Sequence, residues 1–332
     1  MEKKGKSKQK LWRVGVGIGL AGGAVFALRY ALSPPSRERL PEHLSPDAFA
    51  TRLFPSRHGD LVFHEGGSGE PVVFLHAPAV GASSYEWSLV YPAIADHNHV
   101  YALDLLGFGE SQKLPYMMTA DQHVDSLAQF LQGVCGGRPA TLVASGLGGG
   151  FAAMLASQHP ELVSRLCLVM PTGLSEFGRR RVTMRAGLAA KLPLLNRFLY
   201  RNYLARRAAV RQWLERFAFA NAARVSAEMV DAYTACAQQN NAEHAIYSLM
   251  TGRLSLPIES RLRMLPQPVL LVWGRESRFP PVEWAERYLE LVPKCTLTIV
   301  DKAGLLLPLE APRRMISILE QGLAGGIHVV ES

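Results

Sequence analysis

The stretch Pro139-Ala-Thr-Leu-Val-Ala-Ser-Gly-Leu-Gly-Gly-Gly-Phe-Ala-Ala-Met-Leu-Ala-Ser-Gln158 decides how the rest of the chain is read. Its apolar opening, Ala140–Ala144, suits a short buried strand, and from Leu147 onward the small residues suit a helix. A strand that meets a helix through a one-residue turn holds strained backbone there and projects that residue's side chain above the sheet. Enzymes that attack through serine place it at such a tip, as Gly-x-Ser-x-Gly, with the next backbone N–H as an oxyanion donor. In that register this chain reads Ala144-Ser145-Gly146-Leu147-Gly148. The turn is intact, and its tip carries no side chain.

Outward from this stretch the pattern alternates. Pro71–His76, His99–Leu103, Arg165–Val169, Pro268–Trp273 and Thr296–Val300 read as buried strands. Between them Ser84–Ala95, Asp121–Cys135, Pro281–Leu291 and Pro312–Leu323 read as helices, while Thr51–Pro55 and Asp60–His64 suit antiparallel edge strands. Apolar strands alternating with amphipathic helices predict an α/β fold with a mostly parallel, eight-stranded sheet covered on both faces. The segment Gly173–Leu265 interrupts this rhythm. It is helical in composition, with Leu188, Leu192, Leu195, Phe198 and Leu199 at three-and-four spacing. Inserted after the sixth strand, it is expected to form a lid over the carboxyl ends of the strands, where open α/β sheets bind ligands.

The chain has 332 residues, 48% hydrophobic and 19% charged, enough for one large domain and an appendage. The division expected is a basic disordered tail (1–10), a membrane anchor helix (11–32), a linker (33–47), a core (48–172 and 266–325) and a helical lid (173–265). Within the anchor, Val14–Leu28 is uncharged, Trp12, Arg13, Arg29 and Tyr30 suit the two interfaces, and Gly15, Gly19 and Gly23 share one helix face. A cleaved signal peptide lacks its small-x-small site here. Gly17-x-Gly19-x-x-Gly22 matches a dinucleotide fingerprint, but no βαβ unit follows it. The lysines of the tail keep the N-terminus cytoplasmic, and the side of the membrane carrying the main domain stays open.

Net charge is +8, and ten basic residues with no acidic one lie between Gly178 and Arg211: Arg179, Arg180, Arg181, Arg185, Lys191, Arg197, Arg201, Arg206, Arg207 and Arg211. Such a face suits anionic membrane lipid, an acidic protein partner or plain solvent. No nucleic-acid reader motif accompanies it, so nucleic acid is not expected. Cys135, Cys167, Cys236 and Cys295 are widely spaced and suit buried free thiols. Neither a metal nor a cofactor is expected.

Five landmarks in order give a resemblance. They are His76-Ala77-Pro78 with Gly81-Ala82-Ser83-Ser84-Tyr85-Glu86-Trp87, then Asp104-Leu105-Leu106-Gly107-Phe108-Gly109-Glu110-Ser111, the turn at Gly146, Trp273-Gly274 before Pro281, and Ala303-Gly304 before Leu309-Glu310-Ala311-Pro312. Together they resemble the α/β-hydrolase superfamily, in its lid-bearing branch of esterases, haloperoxidase-like and dehalogenase-like enzymes, over about Thr51 to Leu323. The resemblance implies a nucleophile at 146, an acid at 277, a histidine at 305, and oxyanion donors at Ala77 and Leu147. This chain has Gly146, Ser277 and Leu305 at the three catalytic positions, and Ala77 where a glycine is usual.

Ser145 and Ser84 are the fallback nucleophiles. Adjacent side chains at a strand end point to opposite faces, so Ser145 should face away from the tip. A serine also needs a base titrating near neutrality. From Val300 to Pro312 the titratable residues are Asp301, Lys302 and Glu310; His76 suits a structural role, and His123, His159 and His244 fall on predicted helices. The expectation is a membrane-anchored family member that has lost serine-hydrolase chemistry and binds a hydrophobic small molecule or a partner. The alternative is a hydrolase or lyase acting on a small hydrophobic or lipid-like ester through a non-standard site.

Overall fold

The computed structural model describes residues 44–174 and 193–323. The tail, the anchor segment, most of the linker and Arg179, Arg180, Arg181, Arg185 and Lys191 lie outside the described residues. Among the described residues no helix is long and apolar enough to cross a membrane.

Eight strands form one sheet: β1 (Ala50–Ser56), β2 (Gly59–Gly67), β3 (Glu70–Leu75), β4 (Asn98–Leu103), β5 (Ala140–Ser145), β6 (Val163–Val169), β7 (Val269–Gly274) and β8 (Cys295–Val300). Their order is β1-β2-β4-β3-β5-β6-β7-β8; β1 pairs antiparallel with β2 and β2 with β4, and the five remaining pairs are parallel. The buried runs sit centrally, β5 and β7 being buried at every residue, whereas β1 at the edge is largely exposed. The order reverses around β3, which pairs with both β4 and β5. That reversal opens a crevice beyond the strand ends, the position where sheets of this kind take ligands.

The helices are α1 (Tyr91–Ile94), α2 (Ala120–Val134), α3 (Gly146–Gln158), α4 (Pro193–Leu199), α5 (Arg207–Trp213), α6 (Ala227–Ala237), α7 (Ala242–Met250), α8 (Glu259–Leu262), α9 (Trp284–Leu291), α10 (Leu307–Glu310) and α11 (Pro312–Leu323). A reciprocal cap between Thr119 and Gln122 starts α2. The helix expected over Ser84–Ala95 is broken. Its first part is a 3₁₀ turn, Ser84–Trp87, whose Trp87 indole donates to Leu75 O at 3.1 Å, and α1 restarts with Pro92 in its first turn. The last residues of the expected linker pack on the core: Leu44 is buried and Ser45 Oγ lies 2.9 Å from Tyr91 Oη.

Four glycines in α3 would each disfavour an isolated helix by ~1 kcal/mol relative to alanine. Packing explains them. A Cβ at Gly148 would lie 2.5 Å from His76 O, and one at Gly150 would lie 2.7 Å from Thr172 O. The helix therefore rests directly on the backbone at the ends of β3 and β6. Above these ends, α5 and α6 share a second apolar core with Ala82, Tyr85, Leu306 and Leu309, which seats the inserted helices on the strand-end loops. The last inserted helix, α8, instead buries Leu262 in the main core.

Gly148→Ala is expected to lower stability by about 1–3 kcal/mol, since backbone cannot yield to the added methyl. Thermal melting checks this as a drop of several degrees, and an unchanged Tm would contradict the close approach.

Candidate active site

The elbow between β5 and α3 is formed as the sequence predicts. Gly146 has φ +50°, a left-handed backbone that favours glycine, and its carbonyl accepts from Thr172 N–H at 3.0 Å. A Cβ at Gly146 would lie 2.9 Å from Ala77 Cβ, well inside the 3.5–4.0 Å at which carbon atoms rest. Ala77 stands where the resemblance expects glycine. Its methyl closes the space a nucleophile's side chain would enter, so the two departures fit each other.

A cavity of about 410 Å³ lies over this floor, walled by Ala77, Gly146, Leu147 and Leu305 below and by Trp213, Tyr233 and Ile246 from the inserted helices. Tyr203, Leu249, Met250 and Phe279 line it too and are exposed, which gives it an apolar mouth. Among the described residues no histidine lines it. Ser277 follows β7, is buried with an unpartnered hydroxyl, and does not line the cavity.

The remaining candidate acids and bases are engaged in structure. His76 Nδ1–H donates to Ala77 O at 3.1 Å and Nε2 accepts from Leu105 N–H at 3.1 Å, while burial lowers its pKa. His123 stacks on Phe151 with centroids 5.0 Å apart, and burial pushes its pKa down to about 3. Glu276 Oε2 accepts from Ala303 N–H at 3.0 Å. Glu310 accepts from Gly304 N–H at 2.7 Å and from Ala220 and Asn221 N–H at 3.0 and 2.8 Å, tying the 304–306 loop to the inserted segment. Asp301 pairs with Arg275 at the surface.

Sequence reasoning missed Glu86. This residue, 1% exposed, lines the cavity from the 3₁₀ turn, and its Oε2 accepts from Ala77 N–H at 2.9 Å. One expected oxyanion donor is thereby occupied, and Pro78 beside it has no N–H. Leu147, the other expected donor, lies in the first turn of α3, where N–H groups have no partner within the helix. Burial pushes the Glu86 carboxyl up to about 7 against the opposing pull of the Ser145 hydroxyl and Ala77 N–H. Ser145 Oγ sits beside this carboxyl, yet neither it nor Glu86 Oε1 completes a well-formed hydrogen bond. Neither Ser145 nor Ser84 lines the cavity.

The fold also gathers His64 from β2 with Asp104 and Glu110 from the loop after β4, with donor atoms within 4.8 Å of one another. Both Asp104 oxygens already accept backbone N–H groups, from Ser84 and Glu110 at 2.6 Å, so the trio reads as a loop brace. Of the basic residues that are described, Arg207 pairs with Asp231 at 2.7 Å, Arg211 with Glu215 at 3.3 Å, and Arg206 donates to Asn202 at 3.2 Å. Acids from outside the basic stretch thus offset part of its charge.

Sheet order, elbow and inserted helices define an α/β-hydrolase architecture, and the comparisons agree. The profile of the alpha/beta hydrolase family matches residues 72–318, and the chain belongs to that family. It is similar to the 2-hydroxy-6-oxo-6-(2'-aminophenyl)hexa-2,4-dienoic acid hydrolase of Metapseudomonas resinovorans, 25% identical over 81% of this chain and 89% of that one. The 2-hydroxymuconate semialdehyde hydrolase of Pseudomonas sp. (strain CF600) is 27% identical over 79% and 89%. Among solved structures, a serine hydrolase involved in carbazole degradation superposes with TM-score 0.70 at 22% identity, over 83% of this chain and 99% of that one. A bacterial membrane phospholipase A gives TM-score 0.69 at 22% identity, over 96% and 99%. These last two likenesses are of fold.

Gly146→Ser alone is expected to lower stability by about 1–3 kcal/mol through the clash with Ala77. Adding Ala77→Gly should recover part of that loss, giving a coupling of about 0.5–3 kcal/mol in a double-mutant cycle; strictly additive effects would mean the two positions do not touch. Glu86 yields a second expectation. Its folded pKa is raised above the unfolded value, so its stabilising contribution is complete below about pH 4.5 and is lost as pH rises through about 7. Denaturant unfolding across that window should show the parent losing stability relative to Glu86→Gln. A constant difference would contradict the buried carboxyl.

Proposed function

We propose that this family member has lost Ser-His-acid catalysis and holds a hydrophobic small molecule in the cavity over Gly146. One observation carries the reading: the elbow tip is bare, and the methyl of Ala77 lies within 2.9 Å of where its side chain would begin. The position after Gly304 supports it, because Leu305 contributes an apolar wall where the family resemblance calls for a base. Losing the triad leaves only ~10³–10⁴-fold catalysis over water in enzymes of this kind, and here Glu86 has also taken up the Ala77 donor. The size suits a ligand site, typically ~300–1,000 Å³ and mostly apolar. The apolar mouth suits delivery from lipid, in keeping with the proposed anchor at residues 11–32.

The alternative, a hydrolase or lyase using a non-standard site, is favoured by one observation. Glu86 has its pKa raised to about 7, suited to proton transfer at neutral pH. The relatives named above are hydrolases, which keeps this reading in view.

Denaturing extraction of the purified chain, followed by mass spectrometry, is expected to release an apolar small molecule, and ester turnover should stay at the uncatalysed rate. Turnover abolished by Ser145→Ala would contradict the binding reading. Removal of residues 1–32 is expected to move the chain from the membrane to the soluble fraction; continued membrane association would assign its retention to the inserted helices or to a partner.

A further inference from the structure

Two of the cavity-lining residues carry a buried polar atom without a partner, and neither stands at a catalytic position that the family resemblance implies. Tyr233 on α6 is 1% exposed and lines the cavity, and its hydroxyl has no hydrogen-bond partner in the protein. Glu86, buried to the same degree, lines it from the loop beyond β3, with Oε2 held by Ala77 N–H and Oε1 completing no bond. Both residues face the same cavity. Burial first, and the Glu86 charge next, hold the Tyr233 pKa well above its ordinary value.

The backbone that carries the tyrosine is held in place. A Cβ at Gly81 would lie 1.9 Å from Tyr233 O, so α6 presses its backbone directly onto the loop after β3. Trp213 flanks the ring at 6.0 Å and Tyr85 at 6.4 Å between centroids. A buried hydroxyl held fast without a partner destabilises a fold, and phenylalanine would fill the same space without that penalty. The hydroxyl therefore calls for an explanation outside the protein's own packing.

The geometry points to Glu86 and Tyr233 as the polar end of the ligand site, which receives a hydroxyl group on an otherwise apolar molecule. This rests on the ligand-binding reading of the cavity. An alcohol accepts from Tyr233 O–H and donates to Glu86 Oε1 when the carboxyl is ionised; when it is neutral, the alcohol oxygen accepts from both O–H groups. A hydrocarbon leaves both groups unpaired. A carboxylate ligand would set like charge against the ionised Glu86. The rest of the wall, Leu147, Ile246 and Leu305 among it, takes the apolar body.

Titration calorimetry of the full chain with 1-decanol, 1-chlorodecane and 1-methoxydecane tests this. Tyr233→Phe is expected to weaken 1-decanol roughly tenfold and to leave 1-chlorodecane within about twofold, with a Tm equal to or above the parent's. Glu86→Gln must give its amide oxygen to Ala77 N–H and so turns N–H₂ toward the ligand. The acceptor-only 1-methoxydecane should then gain on 1-decanol severalfold. Unchanged 1-decanol binding in Tyr233→Phe, or a parallel loss of both 1-decanol and 1-chlorodecane, would overturn the anchor while the apolar-cavity reading stands. Failure of all three compounds to bind the parent would bring down both.

Discussion

Everything at this site follows from how closely β3 and β5 bring their ends together. The two strands run parallel with Leu75 opposite Ala144, so the residues that continue them, His76-Ala77 and Ser145-Gly146, emerge side by side. At that spacing there is room for one β-carbon. In a serine enzyme of this architecture the room goes to the nucleophile, and the facing residue is glycine. Here the methyl belongs to Ala77, 2.9 Å from the point a side chain at 146 would need. That contact leaves no unstrained space for a side chain at 146 and gives the cavity an apolar floor.

Around this floor, polar groups of the kind that do chemistry elsewhere are spent on holding backbone. Glu276 braces Ala303, Glu310 joins Gly304 to the inserted segment, and Asp104 gathers Ser84 and Glu110. His76 locks the end of β3 to Leu105 through both ring nitrogens. Active sites keep strained or unsatisfied groups at some cost in stability; on the proposed reading, these braces are what remains once that cost is no longer met. Against that background Glu86 and Tyr233 stand apart, because each carries an unpaired buried polar atom and also lines the cavity.

Much of this was legible in the chain itself. The continuous apolar runs of β3, β5 and β7 announce strands buried on both faces, and the helix periods between them announce the crossovers, so strand order follows from few alternatives. The bare tip at Gly146 and the aliphatic residue at 305 can be read from loop motifs, since those motifs are local. What could not be read depends on distant residues meeting. Glu86 is one charged residue before Trp87 until the fold sets it beside Ala77 N–H and Ser145. Tyr233 is an ordinary core tyrosine of a helix until α6 is laid across Gly81. The basic stretch looks unopposed because Asp231, which pairs with Arg207, is 24 residues away. The break at Ser84–Trp87 likewise depends on the reach of Trp87 to Leu75 O.

The central claim is that no side chain here can act as an activated nucleophile. Labelling the purified chain with a serine-directed fluorophosphonate, with peptide mapping of the adduct, measures that most directly. The account predicts no stoichiometric label on any serine at neutral pH. Stoichiometric modification of Ser145 or Ser84 would contradict it.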